Sequence, residues 1–179
     1  MDKILNLPIF YSFLNIVRLK NQKPNSWKKQ MIGITYHKDY NKYDLGLGHP
    51  LVGDKPKKTI EILKEKGLLE KTDLFKPDKA QEKDLLRTHT KEYVDKVKRL
   101  SKTGGTLSFD TPAPKGIYEI SRIPVGGTLL GGEKLFKNYN IMTNPLGGFH
   151  HAGKNSSSGF CFFNDIAIVI EKLREKYNL

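Results

Sequence analysis

A run of small and β-branched apolar residues with no polar alternation, Ile32 to Tyr36 (IGITY), limits the possible folds most. A strand with one wet face alternates apolar and polar residues, whereas one without alternation is covered on both faces. Asn140 to Asn144 (NIMTN) reads as a second strand about a hundred residues later, and helical patterns fill the interval. Strands separated by helices point to a parallel α/β sheet, because parallel strands need long crossovers.

Lys57 to Lys66 reads as a helix stopped by Gly67. Asp78 with Gln81 fits a capping box for a helix running towards Arg87. Thr90 is placed to cap the next helix, where Tyr93, Val97 and Leu100 share a face before Gly104 and Gly105 end it. Asp110 to Lys115 reads as a proline-containing loop, and Gly116 to Phe136 as a helix kinked near Pro124. No strand leads directly into the glycine pairs Gly126-Gly127 and Gly131-Gly132, so close helix packing explains them better than a phosphate loop. Asn164 caps a last helix with Ile166, Val169, Ile170 and Leu173 on one apolar face.

The first thirty residues differ from the rest. Ile4 to Leu19 is apolar but interrupted by Asn6, Pro8, Ser12, Asn15 and Arg18, too short and broken for a membrane span. It also lacks the basic n-region and cleavage site of a secretory signal. Asn21 to Gln30 is polar and reads as a linker. The expected division is an amino-terminal extension over 1–30, either an accessory helix or a stretch ahead of the true start at Met31, and a folded domain over 31–179.

The net charge of +12 alone would favour nucleic acid. The lysines, however, alternate with acids, as in KEKGLLEKTD, which marks solvated helix faces. No helix-turn-helix, stacking motif or zinc finger accompanies them, so nucleic acid is disfavoured as a partner. A single cysteine, Cys161 in FCFF, excludes an internal disulfide and fits a reducing cytoplasm. It reads as a buried, inert thiol.

The chemistry concentrates in GGFHHAGKNSSSGFCFFND, Gly147 to Asp165. Adjacent residues of an extended segment point apart, so His150 and His151 are poor candidates to chelate one ion together. They suit separate posts in one site, as proton donor and acceptor. Phe160 offers a flat aromatic face that suits an alkyl stem.

This segment resembles the active-site loop of the zinc-dependent histone deacetylase family, including its acetoin-utilisation-type bacterial and archaeal members. There Gly-Gly-x-His-His-Ala leads through a small-residue loop to Gly-Phe-Cys-x-x-Asn-Asp. The resemblance extends through IGITYHKDY, the Gly48 to Pro50 turn (GHP), THTKEYVDKV with His89, Tyr93 and Val94, and FDTPAPKGIYEIS. It implies a partial arginase/deacetylase-type parallel sheet flanked by helices, truncated before the zinc-ligand strand. It implies that His150 and His151 are catalytic, one as general base, and that Gly159 and Phe160 line the channel for the acyl-lysine side chain. His89 and Tyr93 keep a structural reading. The implied substrate is an acetylated lysine or acetylated small amine.

The family's zinc is held by an Asp-x-His pair and a further Asp beyond the last helix seen here, with a catalytic Tyr later still. No Asp-x-His occurs in this chain, so no metal ligand is assigned. The expectation is an amino-terminal half that is silent alone, has an exposed sheet edge, and is completed by the missing carboxy-terminal half. The alternative is a non-catalytic module that binds acyl-lysine or complements a partner. The family's arginine after GHP is replaced by Lys57 or Lys58, which lacks the planar fork.

Overall fold

The Ile32–Thr35 run forms β1, the middle strand of a parallel sheet. The structure, a computed structural model, describes residues 31–46, 48–51 and 53–179. The expected extension over 1–30 lies outside the described residues. Next come a 3-10 turn at Lys38–Lys42, α1 (Lys55–Glu65), a short 3-10 turn, β2 (Asp73–Phe75), α2 (Glu82–Leu85) and α3 (Lys91–Thr103). The chain then forms β3 (Gly105–Ser108), β4 (Thr111–Ala113), α4 (Ile117–Leu135), β5 (Ile141–Thr143) and α5 (Asp165–Tyr177). The sheet order is β2-β1-β5, all parallel, with Gly33 opposite both Asp73 and Met142. β1 is central and its Gly33, Ile34 and Thr35 are buried, as the unbroken apolar run requires. Among the described residues β5 has no strand on its outer side.

α4 packs against β1, β5 and α5. Its glycines are small because neighbours press on them. A Cβ on Gly126 would strike the Asp78 carbonyl oxygen, one on Gly127 the Tyr40 hydroxyl, and one on Gly132 would lie 2.6 Å from Val169 Cγ2. Close packing is thus the correct account of the glycine pairs. α4 runs through Pro124, whose carbonyl takes the Asn144 side-chain amide at 2.9 Å. The core gathers Tyr40, Tyr43, Val94, Val97, Ile123, Phe162 and Ile168, all almost wholly buried.

Several local expectations need correction. The capping box before α2 joins Gln81 and Asp84, whose carboxylate takes the Gln81 N–H at 3.0 Å; it does not join Asp78 and Gln81. Asp78 is three residues too early, and its carbonyl lies close against Gly126 of α4. The stretch from Asp110 is not all loop, because Thr111–Ala113 pairs antiparallel with β3. Pro112 is tolerated because the ribbon has only two strands. Of the expected face of α5, Val169 and Leu173 do pack inward, joined by Asp165 and Ile168, whereas Ile166 and Ile170 are only half-buried. Lys57 and Lys58 lie exposed on α1, paired with Glu61 (3.7 Å) and Asp54 (2.5 Å). Among the described residues no helix is long and apolar enough to cross a membrane.

Candidate active site

Parallel strands end on one edge, and the loops leaving that edge are where α/β folds build sites. Here the loops after β1 and β5 meet. The Tyr43 ring, from the first, stacks on Phe149 of the second at 5.1 Å, and its hydroxyl donates to the Phe160 carbonyl at 2.9 Å. Burial holds the Tyr43 phenol well above its ordinary pKa, so it acts as a neutral donor.

The histidines lie on the β5 loop. His150 and His151 are both exposed, with ring centroids 4.0 Å apart and planes inclined by 41°. The expected divergence does not occur. Gly148 adopts φ 93°, and the His150 N–H turns back to the Gly148 carbonyl at 2.9 Å, so the segment is a tight turn instead of an extended run. The same carbonyl lies 2.8 Å from His150 Nδ1. A carbonyl only accepts, so Nδ1 carries a hydrogen.

Gly159 and Phe160 occupy the two central positions of a tight turn closed by Cys161 N–H to the Ser158 carbonyl (3.0 Å). Both are left-handed, with φ 56° and 67°. Gly159 must lack a side chain for a second reason: its Cβ would collide with the His151 ring. Phe160 pays for this conformation with strain of about 1–2 kcal/mol. It is held there by the Tyr43 hydroxyl and by the His49 ring, edge-on at 4.4 Å. The His49 ring is itself oriented because its Nδ1 accepts the Leu51 N–H at 3.1 Å. His151, Gly159 and Phe160 are therefore contiguous, with His150 beside them.

The loop is fixed along its whole length. Asp165, wholly buried, accepts the N–H groups of Phe149 (2.7 Å) and Gly148 (3.0 Å) and the Thr128 hydroxyl. Burial pushes its carboxyl above the ordinary aspartate value, opposed by those donors. Thr128 in turn accepts from Asn144 at 2.9 Å. Asn164 caps α5 through the Ala167 N–H (3.0 Å) and donates to the carbonyls of His150 (3.3 Å) and Ala152 (3.0 Å). The buried His89 ring spans the Gly153 carbonyl and the Asn164 N–H, and Tyr93 donates to the Phe162 carbonyl at 2.8 Å. Asp110 accepts the Gly159 N–H at 2.8 Å, a bond that holds its carboxyl below the usual value. The sequence reading gave Asp110, Tyr43 and Asp165 no role in the site. Asp165 is the last residue of the motif; the other two are brought in by the fold.

The sequence pattern that defines the histone deacetylase domain matches residues 49–179. The chain belongs to the histone deacetylase family. A probable deacetylase from Archaeoglobus fulgidus is 33% identical over 147 residues, covering 79% of this chain and 40% of the relative. Histone deacetylase 1 of Oryza sativa is 31% identical over 81% of the chain and 30% of its own length. Histone deacetylase RPD3 of Saccharomyces cerevisiae is 30% identical over 82% and 36%. This histone deacetylase-family chain thus spans about a third of the length of the curated relatives it matches. The crystal structure of the HDA15 HD domain shares the fold, with TM-score 0.73 at 18% identity over 82% of this chain and 44% of that one.

The family is zinc-dependent. Among the described residues no group of three or more His, Cys, Asp and Glu side chains is placed to hold a metal ion. Of the adjacent imidazoles, His150 has Nδ1 committed to a carbonyl.

Proposed function

We propose that this chain supplies the histidine pair and one wall of the acyl channel to a centre that hydrolyses acetyl-lysine or related acetyl-amides. The observation that carries this reading is the contiguity of His150, His151, Gly159 and Phe160 at the carboxyl edge of the sheet. In it, one imidazole takes the proton of the attacking water and the other carries the proton that the departing amine needs. Phe160, fixed in a strained turn, lays its ring along the alkyl stem, and the flanking backbone of Gly159 leaves room for that stem.

The ligands of the family's zinc, in this reading, come from polypeptide beyond these 179 residues, and the chain alone is silent towards acetyl-lysine peptides. A carboxy-terminal half that continues the sheet from β5 is the partner. The lone buried thiol fits a cytoplasmic setting.

The test begins with the coding sequence past codon 179, where an Asp-x-His pair is expected. Joined to the polypeptide encoded there, the chain should cleave an acetyl-lysine peptide in a zinc-dependent manner. His150→Ala and His151→Ala should each slow turnover by on the order of 100-fold or more. Turnover untouched by both substitutions would overturn the role of the pair. Zinc-dependent turnover by residues 1–179 alone would overturn the placement of the ligands. Binding of acetyl-lysine without any turnover of the joined protein would support a non-catalytic acyl-lysine module instead.

A further inference from the structure

The buried His89 ring lies where α2 turns into α3, away from the reacting edge, yet both of its nitrogens are engaged by the histidine loop and its anchor. Nδ1 is 2.9 Å from the Gly153 carbonyl oxygen, and Nε2 receives the backbone N–H of Asn164 at 3.0 Å. A carbonyl cannot donate and a backbone N–H cannot accept. The partners therefore dictate a single state, with hydrogen on Nδ1 and a bare lone pair on Nε2. The next residue adds a parallel tie, Thr90 N–H to the Lys154 carbonyl at 3.0 Å. Asn164 passes the constraint on, because its side chain holds the carbonyls of His150 and Ala152.

We propose that His89 is a positioning residue: as a neutral Nδ1–H imidazole it clasps the far end of the histidine loop to the start of α5, and a second proton on the ring opens that clasp. An imidazolium carries hydrogen on both nitrogens. Its Nε2–H would meet the Asn164 N–H head-on, leaving two buried donors without an acceptor. The ring has little to offset that cost. It is packed between Tyr93 of α3 (5.4 Å) and Phe163 at the start of α5 (5.5 Å), and only 3% of it is exposed. Among the described residues no carboxylate contributes to its titration. Burial, the largest influence, lowers its pKa against the raising effect of the Gly153 and Lys154 backbone.

The sign of the pH dependence follows. Above the ordinary histidine value of 6.5 the ring is neutral in folded and unfolded chains alike, and the clasp is complete. As pH falls through 6.5 the unfolded chain takes up a proton that the folded ring resists, so stability is lost downward from there until the folded ring itself titrates.

This inference rests on the reading of His150 and His151 as the reacting end, but its test needs no turnover. Imidazole nitrogen NMR on the full labelled chain should show hydrogen on Nδ1 of His89 and none on Nε2. On acidification the backbone amides of His150 to Gly153 and of Asn164 should shift together, with one midpoint below 6.5. In His89→Gln, whose neutral amide takes up no proton in this range, that shared transition should be lost. An Nε2–H tautomer in the parent chain, or survival of the shared transition in His89→Gln, overturns the proposal. The parent measurements decide it even where the variant does not fold. Failure here leaves the histidine pair standing, whereas inert His150→Ala and His151→Ala substitutions would remove the pair and leave the clasp.

Discussion

Replacing Asp165 by Asn alters one atom of the buried anchor beneath the histidine loop, and the geometry sets the cost. One carboxylate oxygen takes the Phe149 N–H and the other takes the Gly148 N–H and the Thr128 hydroxyl. An amide has a single acceptor. If its oxygen stays on Phe149, the new NH2 faces the Gly148 N–H, donor against donor. The Thr128 hydroxyl hydrogen, which pointed at the same oxygen, must also turn away from the new NH2. Leaving a buried donor unpaired costs about 1–3 kcal/mol. Removing a buried charge returns part of this, because burial already penalises the Asp165 carboxylate. The expected net loss is about 1–3 kcal/mol for Asp165→Asn. Asp165→Leu removes every acceptor and should lose about 3–5 kcal/mol. For a chain of this length that places the Asn variant roughly 2–12 °C lower in Tm. Thermal unfolding followed by far-ultraviolet circular dichroism measures it, and amide exchange at Gly148 and Phe149 should quicken in parallel. An Asp165→Asn protein within about 0.5 kcal/mol of the parent would refute the reasoning, because a surface-like response means the carboxylate does not carry these bonds.

Two further outcomes are expected. Gly159→Ala should cost about 1–2 kcal/mol from its left-handed backbone alone and displace the His151 ring, seen as a shifted His151 imidazole resonance; an unmoved resonance at unchanged stability contradicts the packing. The Cys161 thiol, buried, directed at the Gly159 carbonyl and pushed up to about 11 by burial, should react with a disulfide reagent on the order of 100-fold more slowly in the folded chain than in denaturant; equal rates would show that it is accessible.

The sequence made the parallel framework legible because its signals are local. β1 is a short, mostly apolar run, Thr90 and Asn164 cap helices from within hydrogen-bonding reach, and three of the four paired glycines of α4 do serve close packing. The β3–β4 ribbon was hidden by Pro112 and by strands of only a few residues, too short for a periodicity to register. The Asp78 capping box failed because two side chains of similar chemistry stand three residues apart, and tertiary contact with α4 decided between them. At the site, the motif announced the histidines and the Gly159-Phe160 turn, but not that the imidazoles would pack against each other at 4.0 Å. That depends on the positive φ of Gly148, which spacing does not encode. The supports of Phe160 were equally silent, since Tyr43 and His49 are linked to it only through the fold.

The bond from Tyr43 to Phe160 closes a loop of 117 residues, almost two thirds of the chain. A wall made that way cannot form early. The entropy of bringing its ends together is met only after β1 and β5 have paired and the helices between them have settled. The aromatic surface opposite the imidazoles should therefore be among the last features to mature during folding and the first to blur when the sheet loosens. No short peptide spanning residues 147–165 should reproduce it.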